Sequence, residues 1–459
     1  MLLFNPVTRV LEEEVYRYQL QDVEEPVLYR EIFTYEAVPK VVFNHRLMPM
    51  DPPEQLRISD TTFRDGQQAR PPFTTEQITH LYDLLHRLSG PNGIIHQCEF
   101  FVYSERDRKA VHECQERGYR FPEVTGWIRA SRKDFQLVRE MGIKETGILT
   151  SASDYHIFLK LKKRRSEAME DYLTVVKMAL EEGIRPRCHL EDITRADFYG
   201  FVVPFVQKLM ELSEEAKVPI KIRACDTLGF GVTYPGVALP RSVKGIIHGL
   251  HTFAGVPPEQ LEWHGHNDFY RGVINATTAW LYGCGCANGT CLGIGERTGN
   301  TPIEALAIEY AALRGGTDGM DLSVITEIAD YFRRDIGMEI PPSQPYVGAD
   351  FNVTRAGIHA DGLYKDEEIY NIFNTEAILN RPVGVAVTDK SGLSGISQWI
   401  NIRYRLTGTE RIGKENSGVQ AIKERIDAEY EAGRVTQLSD EEMERLTEEF
   451  VTLPASAKR

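Results

Sequence analysis

A chain of 459 residues with 42% apolar and 26% charged side chains has an ordinary globular composition, and room for one large α/β domain with appendages or for two to three domains. Its net charge of −14 argues against a surface that coats nucleic acid, yet leaves open a small anionic substrate in a locally basic pocket. No run approaches the roughly 20 apolar residues needed to cross a bilayer, so neither nucleic acid nor a membrane is an expected partner.

Residues 1–55 form a charged extension without a clear period, expected to pack as a strap on the domain that follows. Its start, Met1-Leu2-Leu3-Phe4-Asn5-Pro6, lacks the basic lead and apolar core of a secretory signal. Pro52-Pro53 marks its end. From residue 56 short β-rich runs alternate with helical stretches. The predicted strands are Leu56–Asp60, Ile94–Val102, Glu123–Arg129, Ile143–Leu149, Ile184–Glu191, Pro219–Asp226, Leu261–His266 and Ala287–Ile294. The clearest helix is Thr74–Leu88, with Ile78, Leu81, Leu84, Leu85 and Leu88 on one face, Thr74 and Gln77 spaced as a capping box, and Gly90 beyond its end. Ser104–Gly118, Ser153–Gly183, Ala196–Glu214 and Pro302–Arg314 read similarly. The basic run Lys160–Arg165 is expected on a solvated helix face.

Eight strands alternating with helices over residues 56–315 predict a (β/α)8 barrel. An open doubly wound sheet would need fewer strands and a Gly-rich turn after the first. Residues 316–400 read as a linker and lid subdomain: a helix over Asp321–Gly337, a Pro-rich link at Pro341–Pro345, and a dense polar motif within Ala356–Phe373. Residues 401–459 read as a helical subdomain, one helix carrying Val419, Ile422, Ile426 and Tyr430 and the next opening on a Ser439/Glu442 capping box. The seven cysteines lack a disulfide framework, which suits reduced thiols in a cytosol. Cys284, Cys286 and Cys291 match no standard metal-cluster spacing.

In such a barrel, chemistry sits at the C-terminal ends of the strands. Arg64, Asp65, Glu191, Asp226, Thr227, His264 and His266 fall there. His264 and His266 are two apart, so an extended backbone puts both imidazoles on one face. With the Asp65 carboxylate and open positions they suit a catalytic divalent metal, and Arg64 adds a fixed cation beside it. A packed or exposed pair of histidines is the plainer alternative.

Four motifs, Asp60–Gln68, His264-Gly265-His266-Asn267-Asp268, Gly293–Asn300 and Gly357-Ile358-His359-Ala360-Asp361-Gly362, together resemble the metal-dependent acyl-CoA Claisen-condensation enzymes. That family includes 2-isopropylmalate, homocitrate, citramalate and Re-face citrate synthases, with acyl-CoA lyases as relatives. The resemblance, over residues 56 to 400, implies a divalent ion (manganese, cobalt, magnesium or zinc) held by Asp65, His264 and His266, with Asn300 as a further weak ligand. It implies acetyl-CoA as co-substrate and a 2-oxo acid as acceptor. Arg64 then polarises the keto oxygen, Gln68 lines the same pocket, and Thr227 binds the substrate carboxylate. Glu191 lies near the acetyl group, although it has the alternative of pairing with Arg195 or Arg223. His359 and Tyr370 reach the barrel of a homodimer partner, and either Glu191 or His359 takes the proton. Gly293, Gly295, Arg297 and Gly299 suit the CoA arm, or else an ordinary turn.

Departures from the family pattern favour oxaloacetate over 2-oxoglutarate, 2-oxoisovalerate or pyruvate. Gln67 stands where family members usually carry Glu, which would lessen repulsion of a second substrate carboxylate, and Arg70 is a possible helper. No Gly-Gly-Cys-Pro lyase loop is present, and feedback inhibition by leucine is not expected.

Overall fold

Eight short parallel strands pair in chain order, and the last pairs with the first, so the sheet closes on itself. They are β1 (Arg57–Asp60), β2 (Ile95–Phe101), β3 (Glu123–Ile128), β4 (Glu145–Ser151), β5 (Arg185–Glu191), β6 (Lys221–Asp226), β7 (Leu261–Gly265) and β8 (Cys286–Gly289). This is the expected (β/α)8 barrel. The computed structural model describes residues 2–5, 9–13, 18–129, 131–455 and 457, so part of the expected strap, with Met1 and Pro6, lies outside the described residues. Strand β8 stops at Gly289 rather than Ile294, because the chain turns through Cys291–Gly293 with Leu292 at φ 55°.

The interhelical order follows from local chemistry. Helix α1 (Thr75–Ser89) starts on a complete Thr74/Gln77 capping box and stops at Gly90, φ 66°, where an added Cβ would sit 2.0 Å from the Gly319 carbonyl oxygen. Helices α2 (Glu105–Glu116) and α8 (Ile303–Arg314) also lie where the pattern puts them. Three further helices, α3 (Arg132–Glu140), α6 (Val243–Thr252) and α7 (Gly272–Leu281), escape the periodicity. The stretch read as one helix over Ser153–Gly183 is broken: a π-helical segment, Tyr155–Lys160, precedes α4 (Arg165–Glu181), with Lys162 between them at φ 57°. A second π-helical segment, Phe198–Val202, precedes α5 (Val203–Ala216). The basic run is solvated as expected at Lys160, Lys162 and Arg164, but not at its end. Arg165 is fully buried, paired with Asp154 at 2.7 Å and Asp197 at 2.9 Å.

Barrel interiors are commonly filled by branched aliphatic side chains; this one is charged. Alternation along the strands turns Glu99, Glu145 and Glu262 inward to face Arg187, Lys221 and Arg223. Arg187 meets Glu99 at 2.5 Å and Glu145 at 3.1 Å; Arg223 meets Glu99 at 3.1 Å and Glu262 at 3.0 Å; Lys221 meets Glu145 at 3.1 Å. Three carboxylates against three cations leave no net charge, which is what makes burial of the set tolerable. Gly147 is where this layer needs no side chain: a Cβ there would lie 2.7 Å from His189 Nε2 and 2.8 Å from Trp127.

The contacts divide the chain into two compact units, 1–321 and 322–459. The extension therefore belongs with the barrel, and the strap it was expected to form is visible in its hydrogen bonds. Val27 N donates to Asp154, Gln21 N to the Gly200 carbonyl, Asn44 N to the Gly236 carbonyl and Asp51 N to the Leu281 carbonyl. The second unit is not divided near residue 400 as expected. One hydrophobic core runs through Ala360, Val387, Ile396, Ile400, Val419, Ile422, Met443 and Val451, so both sides of that boundary share it. It contains α9 (Val324–Arg334), α10 (Gly357–Lys365), α11 (Thr375–Leu379), α12 (Gly392–Arg403), α13 (Ser417–Glu431) and α14 (Asp440–Phe450). Its Pro-rich stretch is a folded turn, Asp350 N donating to the Pro342 carbonyl and Arg381 to the Tyr346 carbonyl.

Candidate metal centre

Asp65, His264 and His266 come together, all buried, with one potential ligand atom from each lying within 4.8 Å of the others. His264 Nε2 is 3.4 Å and His266 Nε2 3.6 Å from Asp65 Oδ2. His264 points inward from β7, and His266 lies just past that strand, bridged to Asn300. Asp65 sits on the turn after β1. There the Asp60 carboxylate accepts from Thr62 N at 3.1 Å and Thr62 Oγ1 at 2.5 Å, and Asp65 N donates to the Thr61 carbonyl. Burial pushes the Asp60 carboxyl up to about 7.

Asn288 on β8 sets the tautomer of His264. Its amide nitrogen donates to Ser59 O at 3.2 Å and Ser59 Oγ at 2.8 Å, so its oxygen must face His264 Nδ1, 2.7 Å away. The Nδ1 proton is thereby committed to Asn288, and the Nε2 lone pair is turned toward Asp65. Burial pushes His264 down to about 3 and lowers His266 too, so both rings are neutral, as ligands must be. Burial would raise Asp65, but Arg64 and the Asn300 hydrogen bond hold it well below the usual carboxylate range. The set fits a divalent ion: two neutral imidazole nitrogens and an ionised carboxylate converge, while the buried His266 Nδ1 and Asn300 Oδ1 have no hydrogen-bond partner. Asn300 Nδ2 donates to Asp65 Oδ2 at 2.8 Å. Asn300 thus steadies the carboxylate through its amide nitrogen and leaves the Oδ1 expected as a weak ligand without a partner.

Arg64 Nε donates to Glu99 at 2.7 Å, its Nη1 lies 3.3 Å from Asp65 Oδ1, and its guanidinium carbon sits 5.8 Å from the Trp127 ring. No acceptor among the described residues engages Nη2. Glu191 ends β5, and strand register aligns it with Cys225 and, one strand further, with His264. It takes neither alternative partner, since Arg195 pairs with Asp192 and Arg223 with Glu99 and Glu262. Ser151 Oγ, His156 Nδ1 and Lys160 Nζ surround it instead, at 2.5, 2.9 and 3.5 Å. Burial would raise the Glu191 carboxyl, but His156, Ser151 and Lys160 bring it down to about 2.

Thr227 Oγ1 accepts from Asp192 N at 2.8 Å, and Gln68 is exposed on the 3₁₀ turn Gly66–Ala69. Arg297 pairs with Asp268 at 2.8 Å and donates to the Thr227 carbonyl at 2.6 Å. The glycines around it pack a tight loop against Asn300. A Cβ on Gly295 would lie 1.8 Å from Asn300 Oδ1, and one on Gly299, φ 84°, 1.9 Å from the Gly293 carbonyl oxygen. In the second unit His359 and Tyr370 meet ring to ring, 4.4 Å between centroids, and Gly362 leaves room for the Tyr370 ring.

Gln67 has a different job from the one its departure suggested. Its amide nitrogen donates to the Phe63 carbonyl at 2.7 Å and its oxygen accepts from Phe73 N at 3.0 Å, so it braces the loop. A glutamate could not make the first bond. Arg70 stacks on Phe73, 3.9 Å from the ring centre. Sequence reasoning missed Glu99, Asn288, Ser151 and His156. Inward strand parity puts Glu99 and Asn288 on the inner face without singling either out, Ser151 lies beyond the predicted end of its strand, and His156 lies in the π-helical break.

A family model described as HMGL-like matches residues 55–332. The chain is 58% identical, over 94% of its length and 95% of the relative's, to a citrate (Re)-synthase of Clostridium kluyveri. It is 57% identical, over 98% of its length and 72% of the relative's, to a citrate (Re)-synthase of Syntrophus aciditrophicus. A crystal structure of the HMG-CoA lyase of Bacillus subtilis superposes with a TM-score of 0.50 at 20% identity, covering 64% of this chain and 97% of that one, which speaks to the fold alone.

Proposed function

The chain belongs to the HMGL-like family, and from that premise we propose that it condenses acetyl-CoA with oxaloacetate and hydrolyses the thioester to citrate and CoA. The observation that carries this reading is the Asp65–His264–His266 triad at the barrel mouth, in a chain so similar to two citrate (Re)-synthases.

A divalent ion held by the triad, whether manganese, cobalt, magnesium or zinc, supplies a Lewis acid and a template for the 2-oxo acid. The chain's own residues do the rest. The free Nη2 of Arg64 is available to the keto oxygen as it gains negative charge, while Glu99 and Asp65 fix the guanidinium. Thr227 and Gln68 bind the acceptor, and Asn300 keeps the Asp65 carboxylate in place. The CoA arm lies along the Gly293, Gly295, Arg297 and Gly299 loop. A carboxyl held at about 2 is a poor proton acceptor, so Glu191 serves as a fixed anion beside the acetyl group. The methyl proton goes to His359, oriented by Tyr370, both from a partner subunit in a homodimer; a well-placed base contributes ~10²–10⁴ in rate. The new carbon–carbon bond joins the acetyl methyl carbon to the keto carbon, and water then cleaves the thioester. Seven buried, unpaired thiols suit a cytosolic enzyme.

The test is CoA release from acetyl-CoA with oxaloacetate, 2-oxoglutarate, 2-oxoisovalerate, pyruvate or glyoxylate, with Mn²⁺, Co²⁺ or Mg²⁺ supplied. Oxaloacetate should give the highest kcat/KM; a higher value for 2-oxoisovalerate or 2-oxoglutarate would overturn the assignment.

A further inference from the structure

The N-terminal strap and the segment after β4 are tied together at several points. Val27 N donates to Asp154 Oδ2 at 2.7 Å, and Tyr155 Oη donates to the Leu28 carbonyl at 2.7 Å. Arg165 Nη1 donates to the Gln21 carbonyl at 3.0 Å, and Ser166 Oγ to Asp22 at 2.5 Å. Arg165 also grips Asp154 through two hydrogen bonds. Between these anchors lies the π-helical segment Tyr155–Lys160, a widened turn of a kind that recurs at functional sites.

That segment carries two of the side chains that reach Glu191, His156 and Lys160. His156 Nδ1 lies 2.9 Å from Glu191 Oε2, and its Nε2 lies 3.7 Å from Asp192 Oδ2. Lys160 Nζ lies 3.5 Å from the same Glu191 oxygen, and Ser151 Oγ donates to it at 2.5 Å. All three contacts fall on Oε2. No donor among the described residues engages Oε1. A glutamate so held cannot swing, and its free oxygen keeps one direction before any substrate arrives.

We propose that His156 is a positioning residue for Glu191, gripping one carboxylate oxygen so that the other faces the acetyl thioester, and that the N-terminal strap holds His156 in place. This rests on the role given to Glu191 above and assigns the extension a part in catalysis. The His156 Nδ1 contact on Glu191 Oε2 lies at 2.9 Å without in-line hydrogen-bond geometry, so His156 confines that oxygen by close contact, with the Ser151 hydroxyl supplying direction.

The test is a double-mutant cycle on the metal-loaded enzyme with His156→Ala, Glu191→Gln and the pair. His156→Asn, whose Nδ2 falls where Nδ1 was, is the conservative variant, and Tyr155→Phe loosens the strap by one hydroxyl. His156→Ala should lower kcat about 10–100-fold, leaving the KM for the 2-oxo acid and the metal content unchanged. His156→Asn should recover most of the loss, and Tyr155→Phe should give a smaller loss of the same kind. In the Glu191→Gln background neither His156→Ala nor Tyr155→Phe should cost anything more. A crystal structure of His156→Ala should show the Glu191 carboxylate in more than one orientation. An undiminished kcat, losses that simply multiply, or a Glu191 side chain unmoved in the crystal would overturn the proposal. If the parent enzyme prefers a different 2-oxo acid, the functional reading alone fails, and the same cycle run with that acid still decides the role of His156.

Discussion

Asn288 decides which nitrogen of His264 is free, through an amide whose own orientation is fixed by Ser59. Asn288→Ala should therefore weaken divalent-metal affinity about 10–100-fold while leaving the triad in place, as read by competition with a chelator. Unchanged affinity would mean that the tautomer is set some other way. The triad itself was legible in the sequence. Two histidines two apart at a strand's end share a face, and a carboxylate at the end of the first strand lies next but one around the barrel from them. Asn288 obeys the same inward parity, but a lone asparagine in Cys286-Ala287-Asn288-Gly289 gives no reason to single it out. Gln67 was noticed for its identity, yet only the structure shows both ends of its amide spent on the Phe63 and Phe73 backbone.

The loop Gly293–Asn300 is an element whose glycines are required by close approach. Gly299→Ala would place a Cβ 1.9 Å from a backbone carbonyl oxygen at φ 84°, so the loop must move and carry Asn300 away from Asp65. The expected outcome is loss of about 1–3 kcal/mol in stability together with weaker metal binding, checked by thermal unfolding with and without Mn²⁺. A destabilised variant with normal metal affinity would separate the loop from the site. Helices α6 and α7 were hidden for a related reason. Gly245, Gly249 and Gly272 lower helix propensity, and Asn275, Ala276, Thr277, Thr278 and Ala279 are all buried, so α7 has no amphipathic stripe to find. The π-helical break at Tyr155–Lys160 lies inside Ser153–Gly183, which reads as one helix. Leu159 and Leu161, in and just beyond the break, are exposed.

The whole barrel is organised around buried charge, and its acid stability follows. Burial would raise Glu145, but Lys221, Arg187 and Arg185 bring it down from 4.5 to about 2. A carboxylate with a lowered folded-state pKa stabilises the fold above its ordinary pKa, and that contribution is lost as pH falls through about 2. Folding stability should thus decline between pH 4.5 and 2. Glu145→Gln should flatten that slope and cost about 3–5 kcal/mol at neutral pH by stranding buried cations. An unaltered slope in denaturant titrations would contradict this. The barrel was legible at this scale because eight β-rich runs recur at regular spacing. The shared core of residues 360–451 was not, since it joins segments on both sides of a polar stretch. The most direct test of the account is equilibrium binding of Mn²⁺ to chelator-stripped enzyme and to its Asp65→Asn variant, read with CoA release from acetyl-CoA and oxaloacetate. One ion per chain that restores turnover, with both lost in Asp65→Asn, is the predicted result; an Asp65→Asn enzyme that still binds one ion and releases CoA would contradict it.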